Sequence, residues 1–361
     1  MTSTKISPAP RPAEAPAPLV RGYVRRGAWS LRFDRRALLT CTLLAALAAV
    51  VMLFAIGTGR FALTPWEVVR TLTGDGPPGA EFIVMDLRLP RALDGILVGF
   101  GMGMAGAVFQ SLSRNPLGSP DIIGFGNGAS AGALVAIILF EAGMAQTALG
   151  AVAGGFATAI AVYILAFKRG VHGYRLVLIG IGASAVLGSA TSFLYVRAEI
   201  GKAAQAASWM VGSLNARGWN DVWIAGLSLA VLVPVTLLYA RRLTMLEMGD
   251  DTAAALGVPP ERTRLVLLAA GTGLTAMAVA AAGPIPFVAL AAPQLARRVT
   301  RSPGPNVLPA AWMGAVLVCG ADLVTQRITS SALMPVGVVT GVGGGIYLSW
   351  LLLRERRSGR L

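Results

Sequence analysis

Runs of about 20 residues nearly free of charge recur along the whole of this 361-residue chain, and each is long enough to cross a hydrocarbon layer of about 30 Å as a helix. In lipid, backbone N–H and C=O groups have no water to bind, so isolated apolar runs of that length must be helical. Charged residues make up only 13% of the chain, and the mean hydropathy is +0.67, against about 25% charged residues in soluble domains. A soluble enzyme is excluded. The expected fold class is an all-α polytopic membrane protein.

The apolar runs are Ala37–Ile56 and then 92–112, 127–145, 146–167, 176–195, 222–240, 265–282, 284–299, 307–326 and 335–353. That predicts about ten transmembrane helices. The stretch Leu265–Ala296 carries no charge and would form a helix of about 48 Å, too long for one crossing. Gly283-Pro284-Ile285-Pro286 is expected to break it into a hairpin, which returns Arg262/Arg264 and Arg297/Arg298/Arg301 to one side. Glu141, Gly143 and Gln146 mark a tight turn near Ala145–Gln146. Residues 1–36 carry five prolines and then six arginines from Arg21 to Arg36, which reads as a disordered basic tail. Residues 37–353 form the permease-like domain, and 354–361 a short basic C-terminus.

Topology follows from the cations. With both termini cytoplasmic, only Arg60, Arg70, Arg88, Arg91, Arg197, Lys202, Arg217 and Arg327 of the 31 Lys/Arg fall on the outer side. The net charge of +14 is thus a membrane asymmetry, and no nucleic-acid partner is expected. Small residues, such as the pairs Gly99/Gly103 and Gly341/Gly345, point to close helix packing within one subunit.

Several chemistries lack their residues. Cys41 and Cys319 both lie in apolar runs, and His172 is the only histidine, so no metal site or His-based catalytic pair is expected. Gly101-Met102-Gly103-Met104-Ala105-Gly106 matches a dinucleotide fingerprint by letters but sits inside an apolar helix. The lysines, Lys5, Lys168 and Lys202, do not fall in a phosphate-loop pattern, so this chain has no ATPase site of its own. An ion-coupled carrier would use buried acids. The candidates, Asp94 and Asp322, lie close to Arg91 and Arg327 and read as local ion pairs near the outer surface.

Three segments carry a more specific signal. The first is Leu87-Arg88-Leu89-Pro90-Arg91, continued by Gly106–Gln110 and Arg114-Asn115-Pro116-Leu117-Gly118-Ser119-Pro120. The second is Met248-Gly249-Asp250-Asp251-Thr252-Ala253-Ala254-Ala255-Leu256-Gly257-Val258-Pro259. The third is Gly283-Pro284-Ile285-Pro286 through Ala292-Pro293-Gln294-Leu295-Ala296-Arg297-Arg298, followed by Ala321-Asp322-Leu323 and Leu333–Gly341.

Read physically, Arg88 and Arg91 share a helix face on the cation-poor side, so they call for an acidic partner or for a local acid such as Glu81 or Asp86. The segment Glu247–Thr263 reads as a short amphipathic helix. Gly249, Asp250 and Asp251 start it, Ala253–Leu256 give it a small apolar surface, and Gly257 and Pro259 stop it. Pro116 ends the second span at its inner mouth, and Ala203–Leu214, with Trp209 and Met210, reads as an outer interfacial helix.

In order and spacing, these segments resemble the permease subunits of the iron-siderophore and cobalamin ABC importers, the ten-span type II family, over residues 38–353. The third segment is most similar to siderophore permeases of the ferric-enterobactin kind. The resemblance implies that Arg88, Arg91 and Arg327 receive glutamates from an external binding protein. It implies that Gly249, Asp250, Asp251, Ala254, Leu256 and Gly257 belong to a coupling helix seated in an ATPase, and that Asn115 and Leu117 narrow the pathway as a cytoplasmic gate. It further implies a second permease subunit, identical or paralogous, and two cytoplasmic ATPases that bind ATP and Mg, with no cofactor in this chain. A ferric siderophore is the expected substrate. Cobalamin or haem import in the same family, an ion-coupled secondary transporter and an intramembrane enzyme are the rivals.

Overall fold

A computed structural model describes residues 21–26, 29–167, 173–328 and 334–357. Lys168, His172 and Leu333 lie outside the described residues, as does residue range 1–20. Strands β1 (Arg21–Arg26) and β2 (Trp29–Asp34) pair antiparallel. The expected disordered tail therefore does not hold for these residues. The alternation of Tyr23, Val24, Trp29, Leu31 and Phe33 with polar neighbours suits a strand, a pattern masked by the arginine content.

The rest is helical. Asp34 caps α1 (Arg35–Gly57), its Oδ1 accepting the Arg36 N–H at 2.9 Å. Thr64 and Glu67 form a capping box at the head of α2 (Pro65–Leu72). A single run then begins at α3 (Ala80–Phe82), passes through a π-helical stretch Ile83–Arg88, and continues as α4 (Leu89–Ser113). This run starts about three turns before the apolar stretch that marks the second span. Next come α5 (Phe125–Phe140), α6 (Met144–Ala166), α7 (Gly173–Arg197), α8 (Ile200–Met210) and α9 (Trp219–Glu247). The chain closes with α10 (Asp250–Ala255), α11 (Pro260–Ala282), α12 (Val288–Thr300), α13 (Val307–Ile328) and α14 (Val336–Arg357).

Seven helical runs are long and apolar enough to span a bilayer: α1, α3–α4, α6, α7, α9, α11 and α13. Helix α5 and the Val336–Leu351 part of α14 are apolar but shorter, and α12 has 13 residues. Gly283, at φ 73°, separates α11 from α12 where the break is expected, and a Cβ there would stand 2.6 Å from the Trp209 carbonyl oxygen. The turn between α5 and α6 falls at Glu141–Gly143, slightly earlier than Ala145–Gln146, because Glu141 takes the left-handed cap and the Gly143 N–H donates to Gln146 Oε1 at 3.2 Å.

Helices α4 and α11 form the buried centre, and α7 is largely exposed. Close approach is what the small residues permit. A Cβ on Gly103 would run into the Ala310 carbonyl of α13, and one on Gly106 into the Ala289 carbonyl of α12. Gln110 Nε2 then donates to the Leu290 carbonyl at 2.9 Å, tying the same two helices deep inside. Gly341 and Gly345 behave differently from expectation. A Cβ on Gly341 would make only an ordinary 3.6 Å contact with Pro286, and one on Gly345 would meet open space.

Candidate functional site

Helix α4 runs the height of the bundle, so the segments singled out in the sequence fall at its two ends. At its N-terminal end the chain leaves α1 through a loop that turns at Gly59, and Arg88 holds that loop. Its Nη1 donates to the Ile56 carbonyl at 2.7 Å and its Nη2 to the Phe61 carbonyl at 2.8 Å. One turn on, Arg91 grips Asp322 of α13, Nη2 to Oδ1 at 2.7 Å and Nε to Oδ2 at 3.2 Å. Gln326 Nε2 donates to the same carboxylate at 2.8 Å. The acid beside Arg91 is therefore Asp322 rather than Glu81 or Asp86. Arg327 is exposed, and its Nε donates to Thr58 Oγ1 at 3.2 Å. The three arginines thus gather around the α1–α2 loop, where a cavity of about 340 Å³ is lined by Phe54, Thr58, Leu63 and Arg327 among others.

The local ion-pair reading holds for Asp322 and fails for Asp94. Asp94 is fully buried, and neither carboxylate oxygen has a hydrogen-bond partner. It faces inward because α4 is covered on nearly every side from Asp94 onward. Arg217, also buried, lies within 3.7 Å of Asp221 at the same end.

At the other end, α4 stops at Arg114 in the left-handed conformation (φ 50°). Arg114 donates from Nη2 to the Leu246 carbonyl at 2.7 Å and to Asp250 Oδ1 at 2.6 Å. Arg264 of α11 donates to the other oxygen, Asp250 Oδ2, at 2.8 Å, and also pairs with Glu261. Asp250, the first residue of α10, is thereby fixed to both central helices. Partial burial pushes its carboxyl upward, but hydrogen bonds and charge from Arg264 and Arg114 outweigh that and hold it below 3.8.

The remaining surface of α10 projects. Ala253 is buried, whereas Asp251, Ala254 and Gly257 are exposed, and Leu256 and Met248 are 57% and 66% exposed. Gly249 (φ 118°) and Gly257 (φ 79°) bracket it in conformations that favour glycine. The Val258 N–H donates to the Ala253 carbonyl at 2.9 Å and closes the turn. The helix is shorter than the Glu247–Thr263 segment, because α11 already begins at Pro260.

Beside it, Asn115 Oδ1 accepts the Leu117 N–H at 2.9 Å, which folds Arg114–Gly118 into a tight turn with Leu117 at the surface. Gln294 of α12 donates to the Pro116 carbonyl at 2.8 Å. Sequence reasoning did not find Gln294, Arg264 or Asp94 as structural partners. For Gln294 the surrounding Pro-Gln-Leu-Ala-Arg-Arg motif was a usable signal.

Comparison with known proteins agrees with this arrangement. The model of the FecCD transport family matches residues 47–354. The chain is 42% identical over 325 residues to the ferric enterobactin transport system permease protein of Escherichia coli strain K12, covering 90% of this chain and 98% of that one. It is 36% identical over 284 residues to the cobalamin import system permease protein of Halobacterium salinarum, covering 78% and 75%. Among solved structures it is similar to an inward-facing metal-chelate type ABC transporter, with a TM-score of 0.78 and 26% identity over 87% of this chain and 98% of that one.

Proposed function

Because the chain belongs to the FecCD transport family, we propose that it is the permease of an ABC importer for iron–siderophore complexes, powered by separate ATPase subunits. It is a multi-pass membrane protein and a transport subunit, not an enzyme. In this reading α5, α12 and α14 cross together with the seven longer runs, giving ten crossings within 37–353. Both termini, including 1–36 and 354–361, are cytoplasmic. The relative named for ferric enterobactin supports a catecholate-type ferric siderophore as substrate.

The observation that carries the reading is α10. It offers a small exposed surface, Ala254, Leu256 and Gly257 with Asp251 at its edge, on a base fixed by Asp250 to α4 and α11. Such a knuckle suits insertion into a cleft of a cytoplasmic ATPase, which binds ATP and Mg, and transmission of its closure. Next to it, Asn115 and Leu117 form part of the inner gate. At the opposite, external end, Arg88, Arg91 and Arg327 make the docking edge for a substrate-binding protein. Arg327 meets the acidic partner directly, and the other two fix the loop it stands beside. A second permease subunit, identical or paralogous, completes the pathway, and the open Gly343 and Gly345 positions of α14 leave room for a close helix approach.

The test is reconstitution with an ATPase and a binding protein encoded nearby. Leu256→Asp is expected to abolish ATP-driven chelate uptake while leaving the insertion and thermal stability of the permease unchanged. Uphill uptake by the permease alone, or wild-type uptake by Leu256→Asp, would overturn the assignment.

A further inference from the structure

Strands β1 and β2 pair in the register Gly22↔Phe33, Val24↔Leu31 and Arg26↔Trp29, alternating with Arg21↔Asp34, Tyr23↔Arg32 and Arg25↔Ser30. Cross-strand partners share a face of the ladder, and the faces alternate along each strand. The register therefore sorts this ribbon by chemistry. Val24, Trp29, Leu31 and Phe33 occupy one face, and Arg21, Arg25, Ser30, Arg32 and Asp34 the other. A lone two-stranded ribbon is marginal in water, so its apolar face needs a cover.

Covalent continuity identifies that cover. Strand β2 runs directly into α1, whose Arg35 and Arg36 are exposed and whose Leu38, Leu39 and Leu43 are 55%, 59% and 61% exposed. Exposed leucines on a spanning helix face acyl chains, so the hydrocarbon boundary lies within about 6 Å of axial rise from Asp34. The root of the ribbon is fixed at that depth. Ser302 Oγ donates to Asp34 Oδ2 at 2.6 Å while Oδ1 caps α1, so Asp34 is held between α1 and the α12–α13 loop. Residues 21–36 hold six arginines and one acid, Asp34, which complements anionic headgroups.

We propose that the Arg21–Asp34 ribbon is a membrane-surface anchor, lying on the bilayer with the Val24/Trp29/Leu31/Phe33 face in the headgroup boundary and its arginines on the phosphates of anionic phospholipid. Trp29 stands next to the turn, where an amphipathic ring suits the interface, and guanidinium forks match phosphate oxygens. The topology proposed above decides only which leaflet the ribbon meets.

The full chain, with Cys41 and Cys319 replaced by alanine, is labelled with an environment-sensitive fluorophore at Leu31→Cys or Ser30→Cys. It is then reconstituted into phosphatidylcholine vesicles with or without phosphatidylglycerol. Lipid-borne nitroxide is expected to quench the label at position 31 several-fold more than the label at position 30. The contrast should grow with phosphatidylglycerol and shrink in high salt, and Arg25→Gln with Arg32→Gln should remove the lipid dependence. Equal quenching at the two positions overturns the proposal, as does protection of position 31 only when an ATPase subunit is added, which would assign the face to protein. Sidedness is read separately with an impermeant thiol reagent at position 30. A topology opposite to the one proposed would leave the lipid contact standing, and the two failures are distinguishable.

Discussion

Arg91 and Asp322 meet side-on through two nitrogens and two oxygens, at 2.7 and 3.2 Å, with the carboxylate side chain only 4% exposed. The pair joins the first turn of α4 to α13, 231 residues later. Breaking one side of such a pair strands the other charge, which typically costs about 3–5 kcal/mol, whereas replacing both by packed apolar residues is often neutral. Asp322→Ala should therefore destabilise the protein strongly in detergent, and Arg91→Met with Asp322→Leu should recover most of the loss. Thermal unfolding followed by tryptophan fluorescence reads both. Additive losses in the double variant would contradict the pairing.

Arg88 and Arg327 separate binding from folding. Reversing exposed Arg327 to Glu should lower binding-protein-dependent uptake by an order of magnitude or more without altering the melting temperature, because only the Thr58 contact is lost. Reversing Arg88 should lower both, since the Ile56 and Phe61 carbonyls lose their donors. Identical behaviour of the two variants in both assays would refute the division of labour.

Gly106 tests how closely α4 and α12 approach. A methyl there runs into the Ala289 backbone, which no rotamer change relieves. Gly106→Val should cost about 1–3 kcal/mol or prevent folding. Gly345→Ala, facing open space, should leave the isolated subunit as stable as the parent. Equal melting temperatures for Gly106→Val and the parent would rule out the contact.

The Asp250 clamp carries a pH dependence whose sign is fixed. Its carboxyl is held below 3.8 in the folded protein, so its contribution is complete above the unfolded value near ~3.9 and disappears as pH falls through the lower folded value. Asp250→Asn should thus reduce stability evenly at neutral pH, with the gap to the parent closing only in strong acid. A gap that closes between pH 5 and 7 would point to a different titrating group.

Local chemistry was legible in the sequence wherever the decisive partners are close along the chain. The break at Gly283, the caps of α10 and the interfacial helix near Trp209 depend on glycine geometry, proline and local charge. Packing partners are another matter. The same four-residue glycine spacing occurs at Gly99/Gly103 and Gly341/Gly345, yet only the first pair meets a neighbouring backbone. Spacing reveals that a close approach is possible and says nothing of which helix supplies it. Asp322 for Arg91, and Arg114 with Arg264 for Asp250, follow from how helices far apart in sequence are laid side by side. Asp94 misleads for the same reason. Its neighbours along the chain suggest a surface pair, but the surrounding helices cover it completely.

The double grip on Asp250 has a mechanical corollary. A short helix carried on a flexible loop would swing freely when pushed, and the push would be lost. Here the first residue of that helix is bolted to two shafts, one of which, α4, is 25 residues long and so reaches about 37 Å across the molecule. Force applied at Leu256 is delivered to the far end of that shaft, where Arg91 stands, before the peripheral helices need to stir.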